Sequence, residues 1–237
     1  MKTFAHATRP ASHTLRVLAH ILRYPDQVIR LHASEMIAAI EQEAALSPSR
    51  IHELRRLINH IASGPALSIE ADYVETFDRG RQTSLLLFEH VHGDSRDRGP
   101  AMVDLTQMYE QAGLLLSPDD LPDELPVILE FASTQPPTQA QAFLSEMVHI
   151  MQAIFTALLK RQSPYASAVA AVIELAGEHA MEVELAKEAE LDDSWAEPEV
   201  FGGCSTTGQA KPDQPQPIQI VRRHQAVSTT HIPGAQA

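Results

Sequence analysis

MVHIMQAIFTALLK, residues 147–160, is the stretch that decides the fold class. Its apolar side chains recur at intervals of three and four residues, a spacing that places them on one face of an α-helix. The positions are Met147, Ile150, Met151, Ile154, Phe155, Leu158 and Leu159. Because Pro136-Pro137 interrupts the pattern upstream, we expect one long helix from that break to about Gln162.

Segments with the same rhythm lie on both sides of this stretch. Ser47-Pro48 and Ser163-Pro164 are typical helix starts, with serine as N-cap and proline at the first helical position. Gly64-Pro65 and Gly113 are typical helix ends. The patterns predict helices over residues 15–24, 26–45, 48–63, 68–77, 83–91, 100–112, 127–133 and 164–190. Since no stretch alternates like a strand, we expect an all-α fold.

The length and composition predict one helical domain followed by a tail. The chain has 237 residues and is 44% hydrophobic, which is enough for a substantial core, and only 5% of its residues are aromatic. We place the helical domain at residues 1–190. Residues 191–237 lose the helical rhythm and are rich in Pro, Gly, Ser, Thr and Gln, so we expect a flexible tail of low complexity there.

The charge distribution argues against one class of partner. The formal net charge is −13, whereas nucleic-acid-binding proteins neutralise phosphates with clustered Lys and Arg. Residues 1–173 hold 20 acids and 14 bases, residues 174–199 hold 10 acids and one base, and residues 200–237 hold one acid and three bases. A basic partner is therefore the natural complement.

Cysteine usage and the N-terminus bear on the compartment. Cys204 is the single cysteine, which excludes an internal disulfide and any multi-cysteine zinc or iron–sulfur site. The N-terminal residues lack the apolar core and cleavage site of a signal peptide, and no apolar run approaches the ~18–20 residues of a membrane span. We expect a cytoplasmic protein without stable membrane association, as a monomer or weak homodimer.

One group of residues could in principle carry metal chemistry. Glu89, His90, His92 and Asp94 are potential ligands for a metal-dependent hydrolase, which is the alternative function. Their spacing is unfavourable, because residues two apart on a helix point in different directions, unlike an i, i+4 pair. The sequence also has no nucleotide-binding glycine loop and no nucleophile elbow.

The loop 92–99, HGDSRDRG, concentrates charge between two apolar segments. Its Arg96 and Arg98 could bind an anion, which would indicate nucleotide or cofactor binding. Alternating Arg and Asp are more typical of a solvated loop that balances its own charge. We therefore predict that Asp94, Arg96, Asp97 and Arg98 form the rim of a binding surface.

Aromatic and apolar residues on either side of this loop favour a peptide groove. They include Tyr73, Phe77, Leu86, Phe88 and Tyr109. Most such residues belong to a core, but helical bundles can leave a groove between helices into which an amphipathic peptide inserts its apolar face.

Several motifs resemble the NarJ family, the molybdenum-cofactor assembly chaperones, or delta subunits, of respiratory nitrate reductase. The central ones are YVETFDRGR at 73–81, SLLLFEHVHGDSRDRG at 84–99 and MVDL at 102–105. LRYPD at 22–26, LPDELP at 121–126 and FGGC at 201–204 support them.

The resemblance implies a TorD-like helical fold and a chaperone rather than an enzyme, with no cofactor of its own. The resemblance also implies that the protein binds unfolded protein in nitrate assimilation. Such a chaperone captures the N-terminal segment of the nitrate reductase catalytic subunit. It supports insertion of the molybdenum cofactor and an iron–sulfur cluster, and it delays membrane docking. The client-binding residues that the resemblance favours are Tyr73, Phe77, Leu86, Phe88, Glu89, His92, Tyr109, Asp123 and Glu124. The wider family often has histidine where this chain has Glu124.

Overall fold

The structure is a computed structural model that describes residues 9–93 and 97–185. Within these residues there are eleven α-helices and no strand, which confirms the predicted all-α fold. The helices are α1 Ser12–Ile21, α2 Gln27–Leu31, α3 Ala33–Glu43, α4 Pro48–Ser63, α5 Ala66–Tyr73, α6 Leu87–His92, α7 Arg98–Gln111, α8 Leu125–Thr134, α9 Pro137–Glu146, α10 Val148–Lys160 and α11 Ala166–Leu175. A π-helical turn, Val74–Asp78, continues α5, and a 3₁₀ turn, Arg81–Thr83, precedes α6.

The core is organised around α11. This helix packs on α4, α9 and α10, and α1 packs on α8. Consecutive side chains from Ala168 to Ile173 are fully buried, which is typical of a helix that is apolar on every side. Its alanines leave room for the neighbouring helices to approach closely, so α11 serves as the centre of the bundle.

One of the two predicted Ser-Pro helix starts is confirmed, whereas the other, Ser163-Pro164, is wrong because Pro164 and Tyr165 form a turn and α11 begins at Ala166. Helix α4 begins at Pro48, as expected. The Ser47 hydroxyl does not cap α4; instead the Ser47 N–H donates to Glu174 Oε1 at 2.5 Å, which ties α4 to α11. Asp26 caps α2 by accepting from the N–H groups of Val28 and Ile29.

Two of the predicted long helices are wrong, because each is broken by a bend. The helix expected over residues 26–45 ends at Leu31 and restarts at Ala33. The helix expected up to Gln162 breaks at Met147, where α9 and α10 meet at 67°. Met147 still donates to Leu144 O and accepts from Met151 N–H, so hydrogen bonding continues through the bend. Apolar spacing therefore persists across it and does not reveal the change of direction.

The prediction that the last helix reaches residue 190 is also wrong. Helix α11 ends at Leu175, and Gly177 adopts φ +90°, a left-handed conformation that favours glycine. The Glu178 N–H donates to Ile173 O and the Gly177 N–H to Glu174 O, which is a Schellman C-cap. The tail expected at residues 191–237 lies outside the described residues.

After this cap the chain runs extended along α10. The Gln152 side chain donates to His179 O at 2.7 Å and accepts from the Met181 N–H at 2.8 Å. The Val183 N–H donates to Thr156 Oγ1 at 3.0 Å. Gln152 and Thr156 are buried on α10, one turn apart, so residues 179–183 are held by polar side chains rather than by a helix.

None of the helices in the described part of the chain is long and apolar enough by itself to cross a membrane. Only α9 and α10 together meet the length and composition required, and they are bent relative to each other.

We expect Thr156→Val to destabilise the fold by about 1–2 kcal/mol, because it leaves the Val183 N–H without its acceptor. Thr106→Val on α7 is the matched control, since Thr106 bonds only within its own helix, to Met102 O. Urea unfolding measures the difference, and hydrogen exchange at the amide of residue 183 locates it. Equal losses in the two variants would contradict a stabilising role for this segment.

Candidate functional site

The loop before α6 is joined to the loop before α8 by backbone hydrogen bonds. The Leu125 N–H donates to Leu85 O at 2.9 Å, and the Leu87 N–H donates to Asp123 O at 3.0 Å. Together these bonds form an isolated antiparallel bridge between Leu86 and Glu124. Two segments that the sequence marked separately, residues 84–92 and 121–126, therefore meet at one place.

Asp123 is the buried centre of this junction, with 0% of its surface exposed. Its Oδ2 accepts from the Phe88 N–H at 3.2 Å and from Arg98 Nη2 at 3.4 Å. The carboxylate thus satisfies a free N–H at the start of α6 and pairs with the first residue of α7. In this structure Asp123 supports the site from inside the protein and does not face solvent.

A polar network extends from Arg98 towards α6. Arg98 Nη1 donates to Glu89 Oε1 at 3.3 Å, and the Ser84 hydroxyl donates to Glu89 Oε2 at 2.7 Å. The imidazole Nε2 of His90 lies 2.9 Å from Ser84 O. Arg98, predicted as part of a loop rim, therefore joins two carboxylates. Asp97 is exposed beside it, and the predicted rim residues Asp94 and Arg96 lie outside the described residues.

A cavity of about 400 Å³ opens beside this junction, and we call it the acidic cavity. Five predicted client-binding residues line it: Tyr73, Phe77, Leu86, Glu89 and Glu124. The remaining lining residues are Asp78, Ser84, Leu85, Asp119 and Leu121. Four carboxylates and no lysine or arginine belong to this described lining, so the cavity combines an aromatic floor with negative charge.

The aromatic floor is rigid. The Tyr73 hydroxyl donates to Leu22 O at 2.8 Å, and its ring lies 4.9 Å from that of Phe77. Burial raises the pKa of Tyr73, so its hydroxyl remains a donor throughout the physiological range. Tyr24 extends this surface, because its ring is 47% exposed and packs edge-on against Tyr73 at 5.7 Å.

The π-helical turn orients Phe77 towards this floor. The Arg79 N–H donates to Val74 O, five residues back, instead of continuing the α-helical pattern. The turn is followed by Gly80, where an added Cβ would collide with Thr83 Oγ1 and Thr76 O. Only glycine allows this approach, through which the Thr83 hydroxyl donates to Thr76 O. Sequence periodicity gave no sign of this turn.

Glu124 lies in an unfavourable environment for a charged carboxylate. Burial raises the pKa of its carboxyl, and nearby Asp120 and Asp123 add to the effect. Arg23 opposes the rise, but its guanidinium is shared with Asp120 and Glu130, each at 3.2 Å. A cation that enters the cavity would therefore approach the Glu124 carboxylate, which Arg23 compensates only in part.

The other predicted client-binding residues form a second cluster. The Tyr109 hydroxyl donates to Pro122 O at 2.8 Å, and its buried ring lies 4.8 Å from that of Phe131. Phe88 packs against this cluster, and the His92 ring meets Phe88 edge-on at 5.7 Å. The structure thus places Phe88, His92 and Tyr109 away from the acidic cavity, with Asp123 between the two groups.

Sequence reasoning did not select Asp78, Asp119, Leu121 or Tyr24 as site residues. Asp119 follows Ser117-Pro118, a pair typical of turns, and Leu121 is the first residue of the LPDELP motif. Loop residues next to a motif are frequent binding residues, so this was the available signal. Tyr24 belongs to the LRYPD motif, but its contact with Tyr73 is visible only in the structure.

Comparison with known proteins identifies the family. The family described as nitrate reductase delta subunit matches residues 43–171. The nitrate reductase molybdenum cofactor assembly chaperone NarJ of Escherichia coli (strain K12) is 41% identical over 162 residues, covering 68% of this chain and 69% of that protein. This chain belongs to the nitrate reductase delta subunit family.

Further relatives agree with this membership. The probable nitrate reductase molybdenum cofactor assembly chaperone NarW of Escherichia coli (strain K12) is 39% identical, covering 69% of this chain and 68% of NarW. The probable NarJ chaperone of Bacillus subtilis (strain 168) is 30% identical, covering 65% of this chain and 82% of that protein. The predicted resemblance is confirmed, as is the prediction of a chaperone rather than an enzyme.

The geometry of this chain does not support the alternative function, a metal-dependent hydrolase. Glu89 is held by Ser84 and Arg98, and His90 by Ser84 O. His92 packs on Phe88, and Asp94 lies outside the described residues. Among the residues that the structure describes, no group of three or more His, Cys, Asp or Glu could hold a metal ion.

Glu124→Gln tests the electrostatics of the acidic cavity. Because the folded-state pKa of Glu124 is raised, ionisation of its carboxyl destabilises the folded protein as pH rises through that pKa. We expect the stability of Glu124→Gln relative to the parent protein to increase as pH rises from about 4.3, the ordinary pKa of glutamate, to the raised folded-state pKa of Glu124. Urea unfolding at each pH measures it. Exposed Glu146→Gln controls for the loss of one charge, and parallel profiles would disprove the assignment.

Arg98→Leu tests the junction. Its loss leaves the buried Asp123 carboxylate with one described donor, the Phe88 N–H, and we expect a destabilisation of about 2–3 kcal/mol. Arg79→Leu is the control, because its exposed pair with Glu75 contributes about 0–1 kcal/mol. Asp123→Asn completes a double-mutant cycle with Arg98→Leu. Strictly additive losses would show that the two residues do not interact.

Proposed function

We propose that this chain is a cytoplasmic assembly chaperone that binds the N-terminal segment of the apo catalytic subunit of a respiratory nitrate reductase. It holds that subunit competent for insertion of the molybdenum cofactor and an iron–sulfur cluster, and delays membrane docking until insertion is complete. The names of its relatives, nitrate reductase molybdenum cofactor assembly chaperones, support the client. The acidic cavity is the observation that supports the mode of binding.

The composition of the acidic cavity suits an amphipathic helix with a basic residue. Tyr73 and Phe77 supply an apolar floor, and burying one apolar side chain against it would contribute about 1.5–3 kcal/mol. Glu124 and Asp119 provide charge for a lysine or arginine one helical turn away, since residues three or four apart share a helix face. This pairing of apolar and acidic groups favours a basic amphipathic client over an acidic one.

The volume of the acidic cavity limits how much of the client it can take. A space of about 400 Å³ accepts one or two side chains but not the width of a helix, which is ~10 Å across. We therefore assign it as an anchor pocket, with the rest of the client helix lying over exposed Tyr24 and Leu121 at its edges. Asp123 and Tyr109, although predicted as contacts, act in this proposal by holding the pocket in shape.

Calorimetry with a peptide of the client's N-terminal segment tests the proposal. Leu121 lines the acidic cavity and is 42% exposed, whereas Leu115 is 88% exposed and lies outside it. We expect Leu121→Ser to weaken binding about 10-fold, because it removes apolar contact area, and Leu115→Ser to leave the affinity unchanged. The two leucines lie in the same loop and make a matched pair.

Proton release gives a second readout of the same binding. A client cation that approaches Glu124 stabilises its ionised form, so binding below neutral pH should release a proton from the raised-pKa carboxyl. Calorimetry in buffers of different ionisation enthalpy measures that proton, and Glu124→Gln should abolish it. Absence of any peptide binding would contradict the chaperone proposal, whereas equal losses in the two serine variants would contradict only the assignment of the pocket.

A further inference from the structure

Large apolar side chains are exposed beside the acidic cavity, and the proposed function uses only one of them, Tyr24. The others are Val28 and Leu31 on α2 and Leu67 on α5. All four are between 47% and 81% exposed, and we call them the apolar patch. Single exposed apolar residues are common, whereas several large ones close together mark an interaction surface.

Contacts with α5 connect the apolar patch to the floor of the acidic cavity. The Tyr24 ring packs on Tyr73 at 5.7 Å. The Glu70 carboxylate lies close enough to raise the pKa of the Tyr24 hydroxyl, in addition to the larger effect of burial. Glu70 and Leu67 are three residues apart on α5 and therefore share a face of that helix. The surface thus continues from the floor of the cavity through Tyr24 to Leu67.

Helix α2 supplies the other half of the apolar patch. Val28 and Leu31 are three residues apart on α2, and both are exposed on the same face. Arg30 Nη1 donates to Gly64 O at 2.9 Å, two residues before α5 begins. This contact places α2 on the α5 side of the bundle, so its exposed face extends the surface to which Leu67 belongs.

The charged groups that border the apolar patch favour a basic occupant. Asp26 is exposed at the start of α2, and Glu70 is partly exposed on α5. Arg30 is the cation of α2, but its Nη1 donates to Gly64 O and its Nε and Nη2 are buried. The bordering groups that a ligand can reach are therefore carboxylates. The apolar patch thus has the same combination of apolar and acidic groups as the acidic cavity.

We infer that the apolar patch is the surface along which the client helix continues from the acidic cavity, an inference that rests on the proposed function. Leu67 lies six residues before Tyr73, about 9 Å along α5 at ~1.5 Å per residue. A client helix that inserts one apolar side chain beside Tyr73 reaches Leu67 about two turns further on. The client segment therefore carries apolar residues at positions i and i+7 of one face, with a basic residue beside them.

Calorimetry with the client's N-terminal peptide and the full-length protein tests the inference. Val28→Ser and Leu67→Ser should each weaken binding about 5-fold, because each removes apolar contact area. Val103→Ser and Leu115→Ser are the matched controls, since these side chains are 54% and 88% exposed outside the patch, and they should keep the parent affinity. All four side chains are exposed, so the variants should fold, and circular dichroism checks this.

Nitroxide labels on the two ends of the same peptide locate it without any substitution in the protein. Methyl NMR of the complex should show that a label on one end broadens the resonances of Leu31 and Leu67. The label on the other end should broaden those of Leu121, which lines the acidic cavity. A bound peptide whose labels broaden neither Leu31 nor Leu67 would overturn the inference.

The outcomes separate this inference from the proposed function. Peptide binding that is unchanged in Val28→Ser and Leu67→Ser would overturn the inference and leave the acidic cavity as the binding site. Absence of any peptide binding would contradict both. A second copy of the chain is the competing occupant of the patch, and sedimentation velocity detects it. A dimer that Leu67→Ser dissociates, with the peptide affinity unaltered, would overturn the assignment to the client.

Discussion

The buried carboxylate of Asp123 is the constraint on which the proposed binding region depends. A carboxylate with no exposed surface needs hydrogen-bond donors, and here its Oδ2 accepts from the Phe88 N–H and from Arg98. These donors belong to the starts of α6 and α7, which are far from Asp123 in sequence. The Asp123 carboxylate is therefore compensated only when α6 and α7 are both docked. The acidic cavity takes its shape only when the loops before α6, α7 and α8 assemble correctly.

The π-helical turn has a comparable role on the other side of the cavity. Its altered hydrogen bonding leaves the carbonyls of Glu75 and Thr76 available, and Arg161 and Thr83 satisfy them. These two contacts connect the turn to the end of α10 and to the 3₁₀ turn before α6. As a result Phe77 is held between Tyr73 and Tyr165, two residues that line separate cavities. A regular α-helix through residues 74–78 would place Phe77 on a different face.

The sequence predicted those parts of the fold that depend on local chemistry. Proline and cap signals gave the starts of α2 and α4, and the Schellman glycine Gly177 was readable in principle although its signal was missed. The bends at His32 and Met147 were not predictable from spacing, because the apolar rhythm continues through them. Five predicted client-binding residues line one cavity, but their separation from Phe88 and Tyr109 depends on contacts between residues distant in sequence.

Glu124 gives the pocket a different physical character from the one that a histidine at this position would give it. A histidine there would be neutral or positive near neutral pH, whereas Glu124 adds a negative charge to a lining that already contains Asp78, Glu89 and Asp119. Burial makes that charge unfavourable in the empty protein, as the raised pKa of Glu124 indicates. In the proposed function a basic client relieves this destabilisation, so part of its affinity would come from the strain of the empty pocket rather than from new contacts.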